Sequence, residues 1–291
     1  LEANYNNNPL QFNDLFHISP SGYWYGKNQS DGMVYSSSDK GKTWKPFELN
    51  AELGDFNYWV DIQFLDDQTG FALSNGGKIY KTADGGKNWG LFYSQESYNF
   101  REINPISKDT LVVASTSYIM KTVDGGATWT SSPPFDINQS VYLMHFITAD
   151  SGFVFTNHSM TYETELFATS NGGQSWTKIE SFDNSRSQYV KDFVLKDGKC
   201  FITGSFGLIA TFNLKDRSCD YASGKNTPWI KKADHDGLGK IVAAGNEGQL
   251  MVSTDYGNTF ERQVLPYSDL DFEYVEFLSP DTLLLAGGNY F

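Results

Sequence analysis

The chain has 291 residues, of which 40% are hydrophobic, 16% aromatic and 20% charged, and it carries a net charge of −13. This composition supplies a sizeable core and excludes a disordered polyanion. The 22 Lys and Arg are dispersed rather than gathered in a basic patch, so the acidic surface excludes nucleic acid as a partner.

No apolar run reaches the roughly 18–20 residues that span a bilayer, and no membrane span is expected. The sequence opens on Leu1 without a visible secretory signal. That is the pattern of a product whose targeting segment has been removed, and it sets the expectation of an extracytoplasmic location, whether periplasmic, cell-surface or secreted. Cys200 and Cys219 make no disulfide framework.

In chain order, short apolar runs alternate with turn residues. "VDIQFL", "FALS", "KIYKT" and "WGLFYS" follow one another between residues 60 and 94, separated by "DDQTG", "NGG" and a turn containing Asp84. "YLMHFI", "FVFT", "ELFAT" and "SWTKIE" repeat the scheme from 142 to 180. Each period therefore holds four strand-length runs and no helical stripe. The third turn of each period is a ruler: "SSDKGKTW", "KTADGGKNW", "KTVDGGATW", "TSNGGQSW" and "STDYGNTF" place an acid or amide at Asp39, Asp84, Asp124, Asn171 and Asp255. Asn213, in "ATFNLKDRSC", fills the missing mark with the glycines and aromatic lost.

Repeats of this length built from four antiparallel strands are propeller blades. The expectation is an all-β, seven-bladed β-propeller forming a single domain over 1–291. Its blades cover about 11–50, 58–94, 100–132, 141–181, 188–223, 229–265 and 272–291, the last completed by Leu1–Leu10. With strands labelled A to D from the axis outward, the repeated turn joins C to D. An Asp or Asn holds such a turn by accepting backbone N–H groups, glycine supplies positive φ, and the aromatic covers the hairpin. The residues Asp39, Trp44, Asp84, Trp89, Asp124, Trp129, Asn171, Trp176, Asp255 and Phe260 are thus read as scaffold.

The S-x-D-x-G-x-T-W wording on the CD hairpin resembles the Asp-box, or BNR repeat, of sialidases, sortilin-type receptors, xyloglucanases and photosystem II assembly factor-like propellers. "DIQFLDDQTGFALSNGGKIYKTADGGKNW" (61–89) is most similar to the last of these. That resemblance implies a propeller fold over the whole chain and a non-enzymatic scaffold that binds another protein. The more distant sialidase-like resemblance implies the alternative, a carbohydrate-binding or glycoside hydrolase propeller.

A sialidase needs three arginines converging on a carboxylate. Of Arg101, Arg186, Arg217 and Arg262, only Arg101 and Arg186 fall near the face opposite the CD turns. "FREINP" (100–105) departs from the F-R-I-P wording at Glu102. His17, His145, His158 and His235 have no metal-ligand spacing, the cysteines have no C-x-x-C pattern, and no catalytic residue, metal or cofactor is assigned. Across two strand spacings, Cys200 and Cys219 are too far apart to be bridged.

Function is expected on the DA and BC connections, where otherwise equal repeats differ. An aromatic near each A strand (Phe12, Trp59, Phe100, Tyr142, Tyr189, Trp229, Tyr274) reads either as a packing wedge or as a ring of contacts. The binding candidates are Arg101, Arg186, Tyr98, Tyr189, His158, Tyr162, Trp59 and Trp229, since Tyr, Trp and Arg dominate binding hot spots. The expected partner is a protein or a glycan, bound by a monomer.

Overall fold

The computed structural model describes residues 12–28, 33–49, 58–95, 99–132, 135, 139–158, 163–182, 190–216, 218–221, 228–265 and 270–288. The chain divides into two compact units, Leu1–Ser181 and Phe182–Phe291. Both are built from antiparallel meanders in which consecutive strands pair. The architecture is that of β-propeller blades, and no α-helix occurs among the described residues.

The first unit holds four sheets. They join β1 (Phe12–Ile18), β2 (Trp24–Asn28), β3 (Val34–Ser37) and β4 (Lys45–Pro46); then β5 (Trp59–Phe64), β6 (Gly70–Ser74), β7 (Lys78–Thr82) and β8 (Gly90–Ser94). The next two are β9 (Phe100–Pro105), β10 (Leu111–Ser115), β11 (Ile119–Thr122) and β12 (Thr130–Ser132), and β13 (Gln139–Phe146), β14 (Gly152–His158), β15 (Thr164–Thr169) and β16 (Thr177–Phe182). The second unit holds β17 (Val190–Lys196), β18 (Lys199–Gly204), β19 (Ile209–Asn213) and β20 (Cys219–Tyr221), then β21 (Ile230–His235), β22 (Ile241–Gly245), β23 (Leu250–Ser253) and β24 (Glu261–Gln263). It ends in a pair, β25 (Asp271–Ser279) and β26 (Thr282–Gly288).

Six four-stranded blades therefore stand among the described residues, not the seven expected. The last period contributes a two-stranded sheet among the described residues. Leu1–Leu10, expected to complete it, lies outside the described residues.

Burial follows position within the blade. The second strands β6, β10 and β22 are buried at every residue, and their sequences GFALS, LVVAS and IVAAG are correspondingly small or apolar throughout. The fourth strands are exposed, as in Glu261–Gln263. Between the first and second sheets Tyr25, Phe47, Trp59, Ile62 and Tyr80 form one core, and Phe71, Leu73, Ile79, Phe100 and Leu111 form the next. Each such side chain contributes about 1.5–3 kcal/mol by leaving water.

Neighbouring first strands do not share a hydrogen-bond ladder, so their facing N–H groups need other acceptors. Side chains supply them. Asp61 accepts from Ile103 N (3.1 Å), Glu102 from Met144 N, Asp192 from Ala233 N (3.0 Å) and Asp234 from Phe277 N (2.7 Å). Asn104 accepts similarly from Phe146 N. Burial pushes the Asp234 and Glu276 carboxyls up, and Tyr274 donates to Glu276 at 2.6 Å.

Neither cysteine is in a disulfide. Cys200 pairs with Phe212, which pairs in turn with Cys219, so a whole strand separates the two sulfurs.

Candidate functional site

The repeated hairpin is a closed hydrogen-bond system at its own turn. In the third blade Thr122 Oγ1 donates to Asp124 (2.8 Å) and accepts from Gly126 N (2.9 Å). Asp124 also accepts from Thr128 N and, at 2.6 Å, from the Thr128 hydroxyl. The hydroxyl three or four residues into the turn thus bonds the carboxylate rather than crossing the hairpin. Asp39 and Asp255 repeat the pattern with Thr43 and Thr259, and Asp84 with Asn88; Asn171 accepts from Ser175 N but donates its amide to the Ser175 hydroxyl. Gly126 needs φ of +87°, and a Cβ there would lie 2.6 Å from the Phe92 ring. These carboxylates spend their acceptor capacity on the turn.

The aromatics Trp44, Trp89, Trp129, Trp176 and Phe260 are half-buried. Trp89 packs edge-on against Tyr25, Phe47 and Phe64, joining two blades. In the fifth blade the turn is held instead by Asn213, which accepts from Lys215 N, and by Asp216, which accepts from Ser218.

At the opposite strand ends, register decides which aromatics reach solvent. In the second to sixth blades the last ladder pair before the bulge is Trp59–Ser74, Phe100–Ser115, Val141–Thr156, Val190–Gly204 and Ile230–Gly245. Trp59 is thus equivalent to Ile230, and both point into the core, Trp59 with no exposed surface at all. Trp229 stands one residue earlier, equivalent to Tyr58, and alternation along the strand turns both outward at 38% and 37% exposure. The expected one-per-blade aromatic set is therefore not a ring. Trp59 and Phe100 are core residues, Tyr142 lies one position beyond them, and the side chain of Phe12 is outside the described set. As a binding contact Trp59 is corrected to a core wedge.

The outward pair carries partners. Lys191 Nζ lies 5.2 Å from the Trp229 ring centroid, and Phe206 packs on Trp229 at 6.1 Å. In the first unit Lys27 Nζ sits 4.7 Å over the Tyr58 ring, and Asn75 accepts from Tyr58 N at 2.8 Å. Each arrangement joins the start of one blade to the BC end of the blade before it. Phe206 is held at φ 52°, ψ 36° in a short 3₁₀ turn (Ser205–Gly207). A bulky L-residue there costs about 1–2 kcal/mol, yet its ring remains 43% exposed.

Arg101 is exposed at the start of β9 and makes no ion pair among the described residues; the adjacent Glu102 turns away to Met144 N. His158 is half-buried at the end of β14, where its N–H donates to Glu163 O. Arg186, Tyr98, Tyr189 and Tyr162 lie outside the described residues. Sequence reasoning passed over Phe206, Lys191, Tyr58 and Lys27. Alternation was the available signal: in "NYW" (57–59) only one of two adjacent aromatics can face the core.

Six meander blades among the described residues, five of them with an Asp-box hairpin between the third and fourth strands, define an Asp-box β-propeller. Residues 40–134 match the family model of Photosynthesis system II assembly factor YCF48. No curated protein matches the chain. Among solved structures, YCF48 bound to D1 peptide is 17% identical over 99% of this chain and 94% of its own, with a TM-score of 0.72. YCF48 from Cyanidioschyzon merolae is 15% identical over 97% and 94%, with a TM-score of 0.70. A catalytically inactive virginiamycin B lyase from Staphylococcus aureus is 10% identical over the same shares, also with a TM-score of 0.70. Likeness at these identities is a likeness of fold.

Proposed function

We propose that the chain is a non-enzymatic propeller scaffold that binds a segment of another protein through its DA and BC connections, as an assembly factor does. One observation carries the reading. Exposed aromatic rings with a lysine over the face, Tyr58 and Trp229, recur at equivalent strand ends in both units, and beside Trp229 a strained backbone presents a second ring, Phe206. Aromatic anchors that leave water on binding supply much of the energy of protein recognition. The matched YCF48 family model, and the peptide named with one YCF48 structure, support the same reading. Arg101, and with it Arg186, adds cationic anchors for a carboxylate-bearing segment against the acidic background.

The test is site-specific photocross-linking in extracts of the source cells. A benzophenone-bearing phenylalanine at Phe206 is expected to yield a discrete protein adduct. The same probe at the exposed Val123, beside the CD turn of the third blade, is expected to yield none. Adducts at Val123 alone would overturn the assignment of the face.

A further inference from the structure

Within the second unit, the seam between the first strands β21 and β25 is built differently from its counterparts. Asp61, Glu102 and Asp192 are each the first paired residue after the bulge, and each accepts from an N–H of the next first strand. In β21 that position is Lys232. An ammonium has no lone pair to offer, and this one lies 3.2 Å from Asp192 Oδ1. The seam is bonded two residues further on, where Asp234 accepts from Phe277 N at 2.7 Å. The equivalent residue of β9 is Asn104, which does the same for Phe146 N. A neutral amide therefore suffices for this bond, and what a carboxyl adds is a titratable charge.

A second acid stands beside it. Glu276 holds in β25 the register position that Asp234 holds in β21, and it immediately precedes Phe277. Its carboxyl accepts from the buried Tyr274 hydroxyl, which burial keeps protonated and so a donor. Burial raises both carboxyls above their ordinary range, and the charge of Asp234 raises Glu276 further. Lys232 opposes the rise at both, and His235 opposes it at Asp234. From the neighbouring strand β17 Asp192 adds another negative charge. Lys231 and Glu273, at the bulges, neutralise one another. The strands β22 and β26, IVAAG and TLLLAGG, bring no titratable side chain. Fully ionised, the seam would set three carboxylates against the Lys232 ammonium.

We infer that Asp234 and Glu276 form a proton-operated latch. While the pair retains a proton, the terminal hairpin β25–β26 seats against β21; when the proton is lost, the two carboxylates repel and the hairpin loosens. Its remaining hold is apolar, Phe272 and Val275 against Val242, Ala244 and Leu250. A carboxyl whose folded pKa lies above its unfolded value favours the folded seam at low pH, and that contribution is lost as pH rises through the folded value. The window therefore lies above the ordinary carboxylate range.

Hydrogen exchange of the full chain, read by mass spectrometry and expressed as protection factors, tests the latch. Protection of β25 and β26 is expected to fall about threefold or more between about pH 5 and about pH 8, while that of β10 in the first unit stays level. The Asp234→Asn/Glu276→Gln variant keeps both hydrogen bonds, Lys232 and His235, and should retain at the higher pH the protection it has at the lower. Thermal melting verifies its fold. Should it fail to fold, Asp234→Asn alone replaces it, reproducing the Asn104 arrangement, and is expected to reduce the fall. Level protection of β25 and β26 in the parent, or an equal fall in the folded isosteric variant, would overturn the latch.

Discussion

At the scale of single residues, the Asp-box was legible as a turn but not as a network. Sequence gave the acceptor, the glycines and the covering aromatic. It did not reveal that the hydroxyl two residues before the acid is the buried hub, because Ser and Thr are unremarkable at a strand end until their partners are seen. Thr122 is 1% exposed and serves both Asp124 and Gly126 N. Thr122→Val keeps the shape and leaves that N–H without its acceptor, so it should cost about 1–3 kcal/mol in chemical denaturation. A cost below about 0.5 kcal/mol would remove the hydroxyl from the account.

The same network sets a pH dependence. Bonds from the Thr43 and Thr128 hydroxyls hold Asp39 and Asp124 at about 2, against an ordinary value of 3.8. The Asn88 amide does the same for Asp84, and the Thr259 N–H for Asp255. A depressed folded pKa means the unfolded chain takes up protons first. The contribution is therefore complete above about pH 4 and is lost as pH falls toward about 2. Asp124→Asn mimics the fourth blade, where Asn171 accepts from Ser175 N at 3.0 Å. Its melting temperature should fall less steeply than the parent's over that window. Identical slopes would contradict the assignment.

At the scale of elements, the four-strand period and its turns were readable because alternation and turn chemistry are local. Register was not. Trp59 takes the core position that Ile230 takes in the sixth blade, while Trp229 stands one residue earlier, so the two tryptophans look alike in sequence and point opposite ways. The acids linking neighbouring first strands escaped notice for a related reason. Asp61, Glu102, Asp192 and Asp234 differ in type and offset, and only the fold reveals the N–H groups they serve. Phe206 was hidden inside "GSFG", where nothing local marks a left-handed phenylalanine. Phe206→Gly relieves about 1–2 kcal/mol of strain and removes a half-exposed ring contact worth about 0.5–1.5 kcal/mol. Stability by denaturant titration should therefore change by between a loss of about 0.5 and a gain of about 1.5 kcal/mol. A loss above about 1.5 kcal/mol would show that the ring is held there for packing.

At the scale of the whole molecule, the fold class followed from periodicity, whereas the binding end is a proposal reached by elimination. The CD hairpins are consumed by their own hydrogen bonds, and the opposite strand ends present rings that the scaffold does not need. The most direct test is the affinity of the partner recovered through Phe206, measured for two folded variants. Phe206→Gly combined with Trp229→Ala should weaken binding roughly tenfold or more, while Asp124→Asn should leave it unchanged. Binding that survives the loss of both rings, or that falls with Asp124→Asn alone, would contradict the claim that this propeller recognises protein through its DA and BC connections.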